Sequence, residues 1–234
     1  MGRQPLSCPF FFAVGLDTRP GETAEETRAF AGFYDTVHLA EVVERNDGFV
    51  SAARYELTDP PAGTAPVPYW LAVYGIEDED AARRFLARVR GPAEGRVTYS
   101  PGPPAWTRAT TVWRMIWRNT GSTGPDDLVP GRIAMIGMDP APGATDAEVA
   151  EFDDFYTRTH LPEIVSGFGY DRGTRFRLWH EFTHPAPGCP RYNAVYEAED
   201  AEPAGSPSGA ALTPGPRAWE GRRVHWRAKY RRAG

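Results

Sequence analysis

Two stretches of the sequence, 122 positions apart, decide the fold: Phe33-Tyr34-Asp35-Thr36-Val37-His38-Leu39-Ala40-Glu41-Val42-Val43 and Phe155-Tyr156-Thr157-Arg158-Thr159-His160-Leu161-Pro162-Glu163-Ile164-Val165. The Phe, Tyr, His, Leu, Glu and final Val residues coincide in the two stretches. A recurrence at a fixed offset indicates that a chain contains one structural unit twice. We therefore expect the second half of the chain to repeat the elements of the first half in the same order.

The sequence before each stretch predicts a strand followed by a helix. An apolar run, Phe10 to Leu16 or Ile133 to Met138, leads through a Pro-Gly turn into a Thr-x-x-Glu capping box, Thr23 to Glu26 or Thr145 to Glu148. In such a box the Thr hydroxyl and the Glu carboxylate satisfy free backbone donors at a helix start. The Tyr and the His of each copy then lie four residues apart on one helical face. Because Pro162 disfavours helix at the residue before it, we expect His160 at or just beyond the helix terminus.

The sequence after each stretch predicts two more strands, a helix and a final strand. Alternation indicates that Tyr55 and Leu57 face one way and Arg54 and Glu56 the other, and 174–178 repeats this pattern. Matching third strands are predicted over 69–74 and 193–196, and final strands begin at 113 and 226. An amphipathic helix over 78–89 has a counterpart at 201–216 that several prolines interrupt.

Each half therefore has the element order β-α-β-β-α-β of a ferredoxin-like fold. The fold class is α+β, with residues 1–121 as the first repeat, 122–131 as a linker and 132–234 as the second repeat, whose second helix is degenerate. In such a fold the helices cover one face of the sheet and leave the other, apolar face uncovered. We expect the two repeats to pack sheet to sheet, with the helices outside and an enclosed interior.

Composition excludes several other classes of protein. The 234 residues are 41% hydrophobic and carry a formal charge of −5, which favours neither nucleic acid as a partner nor membrane insertion. The two cysteines, Cys8 and Cys189, do not occupy matching positions, so we expect no disulfide and a reducing, cytoplasmic location. Because the two halves can close on each other, we expect a monomer or a homodimer.

The repeated motif resembles the EthD-like branch of the dimeric alpha-beta barrel proteins, in which an aromatic-rich helix ends in Tyr-x-x-x-His-x-Pro. Tyr156, His160 and Pro162 match this pattern, whereas Ala40 stands at the proline position of the first copy. The resemblance covers nearly all of both halves and implies an intramolecular dimeric alpha-beta barrel. The activities it implies include polyketide cyclases, lactone isomerases, cofactor-free monooxygenases and haem-handling enzymes.

The two histidines, His160 and His38, are the candidate catalytic residues. An imidazole with a pKa near neutrality on an apolar helix face can move a proton at physiological pH. Tyr156 and Tyr34 are candidates for donating a hydrogen bond to a developing enolate. The alternative interpretation is that each histidine is a structural residue that ties the helix end to the sheet.

Further candidates would bind the substrate. Glu163 and Glu41 could orient the histidine rings, and Arg175 and Arg54 could pair with an anionic oxygen. Arg114 and Arg227 recur in the same way on the last strand of each half, where salt-bridged structural roles are favoured. Aromatic residues of the strands could line a pocket for a flat ligand: Trp113, Trp226, Tyr196 and Tyr74.

We expect no metal site. His180-Glu181-Phe182-Thr183-His184 has the spacing of zinc proteases, but that chemistry needs both histidines on one helical face. Here the motif ends a strand and runs into a proline-rich loop.

Three functions remain open from the sequence. The first is an enzyme without a cofactor that cyclises, isomerises or dehydrates a small hydrophobic, aromatic or polyketide-like metabolite, with a histidine as general acid or base. The second is a cofactor-free or haem-dependent monooxygenase of the same fold. The third is a small-molecule-binding protein without catalysis.

Overall fold

Each half begins with a strand and a capped helix. A computed structural model describes residues 3–59, 62–63, 65–199 and 212–233. Strand β1 (Phe10–Asp17) precedes helix α1 (Ala24–Phe33), and strand β6 (Arg132–Asp139) precedes helix α5 (Asp146–Phe155). Both capping boxes, at Thr23 and at Thr145, form with their two reciprocal hydrogen bonds. These local predictions are confirmed because a capping box needs only residues within one turn.

The Tyr-x-x-x-His segments form π-helical turns, Tyr34–His38 and Tyr156–His160, that continue into α2 (Leu39–Glu44) and α6 (Leu161–Phe168). The backbone N–H of Leu161 donates to the carbonyl of Tyr156, five residues earlier. The prediction that the helix ends at His160 is therefore wrong. A proline has no backbone N–H, and this destabilises a helix least where the α-helical hydrogen bonds are already interrupted, as they are at the π-helical turn. Helix α6 can therefore contain Pro162 in its first turn.

The remaining elements follow the predicted order in both halves. The first half adds β2 (Phe49–Leu57), β3 (Ala62–Gly63), β4 (Trp70–Ile76), α3 (Glu79–Arg90), α4 (Pro104–Arg108) and β5 (Thr110–Thr123). The second half adds β7 (Arg172–Thr183), β8 (Tyr192–Ala198), α7 (Arg217–Glu220) and β9 (Arg223–Arg232). Short 3-10 turns cover Pro5–Ser7 and Ala93–Gly95. Most of the interrupted helix expected over 201–216 lies outside the described residues.

The strands hydrogen-bond into one closed antiparallel sheet. Their order is β2-β4-β1-β5-β7-β8-β6-β9, and β9 pairs with β2, while β3 adds to β9. The predicted α+β class is confirmed. The prediction that the halves form two separate sheets packed face to face is wrong, because β5 pairs with β7 and β2 pairs with β9 across the halves.

The closed sheet has a packed interior. Trp113, Trp117 and Trp226 are fully buried there, and the rings of Trp113 and Trp226 lie 4.7 Å apart. Two further apolar clusters lie between the outer face of the sheet and the helices, one in each half. Space for a ligand must therefore be sought outside the closed sheet, which differs from the enclosed interior pocket that the sequence suggested.

None of the helices in the described ranges has the length and apolarity that crossing a membrane requires.

Candidate functional site

The two candidate catalytic histidines occupy equivalent, buried positions against the outer face of the sheet. His38 and His160 are each 8% exposed. The ring of Tyr34 meets that of His38 edge-on at 5.2 Å, and the second half repeats this contact at 5.0 Å. A tryptophan covers each imidazole, Trp106 at 4.4 Å in the first half and its counterpart at 4.3 Å in the second. The structure thus brings each predicted Tyr-His pair together inside an aromatic cluster.

Burial among these rings controls the charge of the histidines. It lowers the pKa of His38 and of His160 to about 4, because the charged imidazolium loses its hydration. Nδ1 of each ring is buried and has no hydrogen-bond partner among the described residues. Both rings are therefore neutral at pH 7.

The glutamates predicted to orient the rings bind other groups. Glu41 accepts hydrogen bonds from the backbone N–H and the hydroxyl of Ser100, and it pairs with Arg45 at 2.7 Å. Glu163 accepts hydrogen bonds from the backbone N–H and the hydroxyl of Thr213. Each carboxylate thus ties its helix to a later segment of the same half.

The two mid-strand arginines lie on the outer face, below the helices. Arg54 donates two hydrogen bonds to Asp35, each of 2.6 Å, and its guanidinium lies 4.7 Å from the ring centroid of Trp70. Arg175 donates one hydrogen bond of 3.2 Å to Asp153 and lies 3.8 Å from the centroid of Tyr156. Arg54 is thus held by a bidentate carboxylate, whereas Nε and Nη1 of Arg175 are buried without a hydrogen-bond partner among the described residues.

The predicted aromatic ligand-binding residues separate into two places. Trp113 and Trp226 lie in the packed interior of the sheet, whereas Tyr74 and Tyr196 face the helices. The hydroxyls of Tyr196 and Tyr156 are 3.0 Å apart. Their counterparts in the first half, on Tyr74 and Tyr34, are likewise buried and interact with each other.

A cavity of about 440 Å³ lies between the outer face of the first half's sheet and helices α2 and α3. This volume falls in the range of small-molecule sites. Apolar side chains form much of its wall: Phe12, Val14, Val42, Phe85, Val89 and Val97. The polar side chains in the wall are Asn46, Tyr74, Arg88, Arg96, Tyr99 and Arg114. Of the residues predicted from the sequence to catalyse or bind, Tyr74 lines this cavity.

Asn46 organises one side of the cavity. It is 1% exposed, and its amide nitrogen donates to the carbonyl of Val42 and to the hydroxyl of Tyr99, at 2.6 and 3.1 Å. Its amide oxygen accepts a hydrogen bond from Arg88. The ring of His38 lies behind this wall, 5.1 Å from that of Tyr99.

Arg114 projects from β5 into the same cavity. Its guanidinium lies 5.6 Å from the ring centroid of Phe12 and 5.1 Å from that of Phe182, which β7 of the second half supplies. No carboxylate of the described residues forms an ion pair with it, so the salt bridge expected from the sequence is absent there. Alternation placed Arg114 on a sheet face, but only the pairing of β5 with β7 brings Phe182 to it.

The His-Glu-x-x-His motif does not gather its histidines. Nε2 of His180 lies 3.2 Å from a guanidinium nitrogen of Arg90, whereas His184 stacks on Trp113 at 5.8 Å. Glu181 accepts a hydrogen bond from the backbone N–H of Cys189. Within the described ranges, no three His, Cys, Asp or Glu side chains are grouped so as to hold a metal ion.

Solved structures share this fold. That of a putative chlorite dismutase is similar with a TM-score of 0.50 and 12% identity, covering 96% of this chain and 94% of that one. The structure of an encapsulated DyP-type peroxidase from Mycobacterium smegmatis has a TM-score of 0.49 and 10% identity, covering 95% of this chain and 92% of that one. The structure of a mutant chlorite dismutase from Candidatus Nitrospira defluvii in complex with cyanide has a TM-score of 0.49 and 8% identity, covering 96% of this chain and 90% of that one.

No family model matches the sequence, and no curated protein is similar to it. The fold is that of the putative chlorite dismutase structure, so the resemblance to the EthD-like branch is wrong, as is the cyclase or isomerase activity that it implied. The motif that suggested this branch forms a buried π-helical turn within the fold.

Proposed function

We propose that this protein binds a small, largely apolar organic molecule in the cavity of its first half. The observation that carries this proposal is the cavity itself, whose volume of about 440 Å³ is bounded by valine and aromatic side chains with a few polar groups. Ligand sites typically combine an apolar wall with a small number of placed polar groups. Asn46 fixes Tyr99 and Arg88 in that wall, so part of the site is preformed.

Differences between the halves support the first half as the binding half. We infer that the chain is a tandem of two related units, 1–121 and 132–234 joined by 122–131, since strand order, capping boxes and π-helical turns recur. Ala134 stands where the first half has Phe12. The counterpart of Arg114, Arg227, is exposed.

Binding can be tested with a fluorescent aromatic probe such as 1-naphthoate and a variant that fills the cavity. Val89 of α3 lines the cavity, whereas Ala87 on the same helix is exposed and does not line it. We expect Val89→Trp to weaken binding at least tenfold and Ala87→Trp to leave it unchanged. Equal binding by both variants, or no saturable binding at all, would overturn the proposal.

Whether the bound molecule also reacts depends on His38. Its neutral ring contacts Tyr99 but does not line the cavity, so a proton from a bound molecule would reach it only through the wall. If the protein only binds, His38→Gln leaves the ligand unchanged in amount and identity. If it is an enzyme, that variant loses turnover while it keeps the ligand.

The haem-dependent alternative is the second candidate, and the aromatic rings and arginines of the wall are the observation behind it. Flat aromatic walls and arginines suit a porphyrin and its carboxylates, and a bound haem would supply redox chemistry at its iron. Proteins hold haem iron with His, Cys, Met or Tyr. Among the described lining residues these types are represented by Tyr74 and Tyr99, so the wall offers no histidine to the iron. At 12% identity, the likeness to a putative chlorite dismutase establishes the fold and not the reaction.

Titration with haemin tests this second candidate. It predicts a saturable change of the Soret band that Val89→Trp abolishes and that Tyr99→Phe or Tyr74→Phe alters. A Soret band that is identical with and without the protein would exclude it.

A further inference from the structure

The cavity proposed above as the binding site carries an unbalanced positive charge. Arg88, Arg96 and Arg114 line it, and none of the twelve lining residues is acidic. The other outer-face arginines of this half are paired: Arg54 with Asp35, and Arg118, on the same strand as Arg114, with a carboxylate oxygen of Glu79 at 3.6 Å. A cavity that is positive in this way favours an anion.

Like Arg88, which donates to Asn46, and the exposed Arg96, Arg114 has no acidic partner among the described residues. It is half-buried, and burial lowers its pKa from the usual value, with the Tyr99 hydroxyl as the opposing influence. The rings of Phe12 and Phe182 lie near its guanidinium, and cation–π contacts offset part of the lost hydration. These rings provide no hydrogen-bond acceptor for its N–H groups, and a partly dehydrated cation is stabilised by a charged partner that accepts hydrogen bonds.

The other polar groups of the wall interact with protein groups or lie in solvent. The hydroxyl of Tyr74 interacts with that of Tyr34, as its counterpart Tyr196 does with Tyr156 at 3.0 Å. Asn46 bonds Arg88 and Tyr99, and Arg96 is exposed. The half-buried guanidinium of Arg114 is thus the group of the wall best placed to donate to an oxyanion.

We propose that the ligand of this cavity is an organic carboxylate with an aromatic or aliphatic body, and that Arg114 binds its carboxylate. This inference rests on the proposed function and names the class of its ligand. A carboxylate matches the planar fork of a guanidinium and can accept two hydrogen bonds from it. The apolar body then lies among Val14, Val42, Phe85 and Val89, which line the cavity. Phe182 of the second half does not line the cavity, but its ring contacts the Arg114 guanidinium.

The experiment compares two probes of the same shape, 1-naphthoate and the neutral 1-naphthamide, by isothermal titration calorimetry. We expect the unmodified protein to bind the carboxylate at least tenfold more tightly than the amide. Arg114→Met should abolish this preference by weakening the carboxylate alone. Arg118→Met is the matched control on the same strand, since Arg118 does not line the cavity, and it should retain the preference.

The outcomes separate this inference from the proposed function. Equal affinity for the two probes, or an equal loss of both with Arg114→Met, overturns the carboxylate assignment while binding in the cavity stands. Tighter binding of 1-naphthalenesulfonate than of 1-naphthoate overturns it as well, in favour of a larger oxyanion. Failure of every probe to bind saturably overturns the proposed function itself.

Discussion

Nε and Nη2 of Arg54 each donate a hydrogen bond of 2.6 Å to a different carboxylate oxygen of Asp35. The pair joins strand β2 to the π-helical turn after α1, and the arginine side chain is 2% exposed. This geometry gives the buried cation a bidentate partner, which is the strongest arrangement available to a guanidinium.

Loss of Asp35 should therefore destabilise the fold more than loss of the other carboxylate near Arg54. Glu56 lies 3.7 Å away and makes no hydrogen bond to it. We expect Asp35→Asn to lower the free energy of unfolding by about 3 kcal/mol, because it removes the bidentate carboxylate from a buried cation. The matched variant Glu56→Gln should cost about 0.5 kcal/mol or less. Urea unfolding measures both, and equal losses would show that the bidentate geometry is unimportant.

The buried histidines should make the protein less stable in mild acid. The pKa of His38 and of His160 is about 4 in the folded protein, below the ordinary value of 6.5. The unfolded chain therefore binds more protons between these values. The contribution of the two neutral histidines to the free energy of unfolding is complete above about pH 6.5 and is lost as the pH falls toward 4. The loss amounts to as much as about 3 kcal/mol for each histidine.

Urea unfolding at pH 7.5 and 5.0 checks this expectation. The double variant His38→Gln, His160→Gln should lose less stability between the two pH values than the unmodified protein does. Imidazole resonances that titrate near pH 6.5 in the folded protein and are missing from the double variant would contradict it, because those resonances belong to His38 and His160.

Glu197 should have the opposite dependence on pH. Its side chain is 1% exposed, and burial raises its pKa to about 7 although Nε of Arg172 lies 3.4 Å away. The folded protein thus holds a proton that the unfolded chain releases near pH 4.5. The contribution of protonated Glu197 to the free energy of unfolding is complete below about pH 4.5. It is lost as the pH rises through 7, and the loss amounts to about 1–3 kcal/mol. Glu197→Gln should remove this loss between pH 5.5 and 8.5, and an unchanged slope would assign it to other groups.

Gly137 should tolerate no side chain, because its neighbour is a ring in the packed interior. It pairs with Trp226 across β6 and β9, and a Cβ there would lie closer than 3 Å to the indole. We expect Gly137→Ala to cost about 1–3 kcal/mol by overpacking. The control is Gly32 in α1, where a Cβ meets nothing within 4 Å, so Gly32→Ala should stabilise the protein by about 0.5–1 kcal/mol. Thermal unfolding of the two variants should shift in opposite directions.

The sequence predicted the elements of this fold well because their signals are local. The capping boxes at Thr23 and Thr145 depend on residues three positions apart, and alternation correctly placed Tyr55 and Arg54 on opposite faces of β2. It misjudged the helix around Pro162, because a π-helical turn has no residue pattern that distinguishes it from an α-helical turn.

The candidate site was much less accessible to sequence reasoning. Among the residues proposed for ligand binding, Tyr74 lines the cavity, and Arg114 was singled out only as a structural cation. The reason is that periodicity tells which side chains share a face and not what covers that face. Phe182 shows this clearly, since it is separated from Arg114 by 68 positions and meets it only through the pairing of β5 with β7.

By itself the sequence determined the recurring strands, the capped helices and the Tyr-His pairs, because short-range hydrogen bonds and periodicity depend on residues that are neighbours in the chain. Only the tertiary structure decided that the strands of both halves form one closed sheet, that its interior is packed, and that the cavity lined by Arg114 lies beneath α2 and α3. Those outcomes depend on contacts between residues far apart in the chain, and a local sequence pattern does not indicate which of these contacts are favourable.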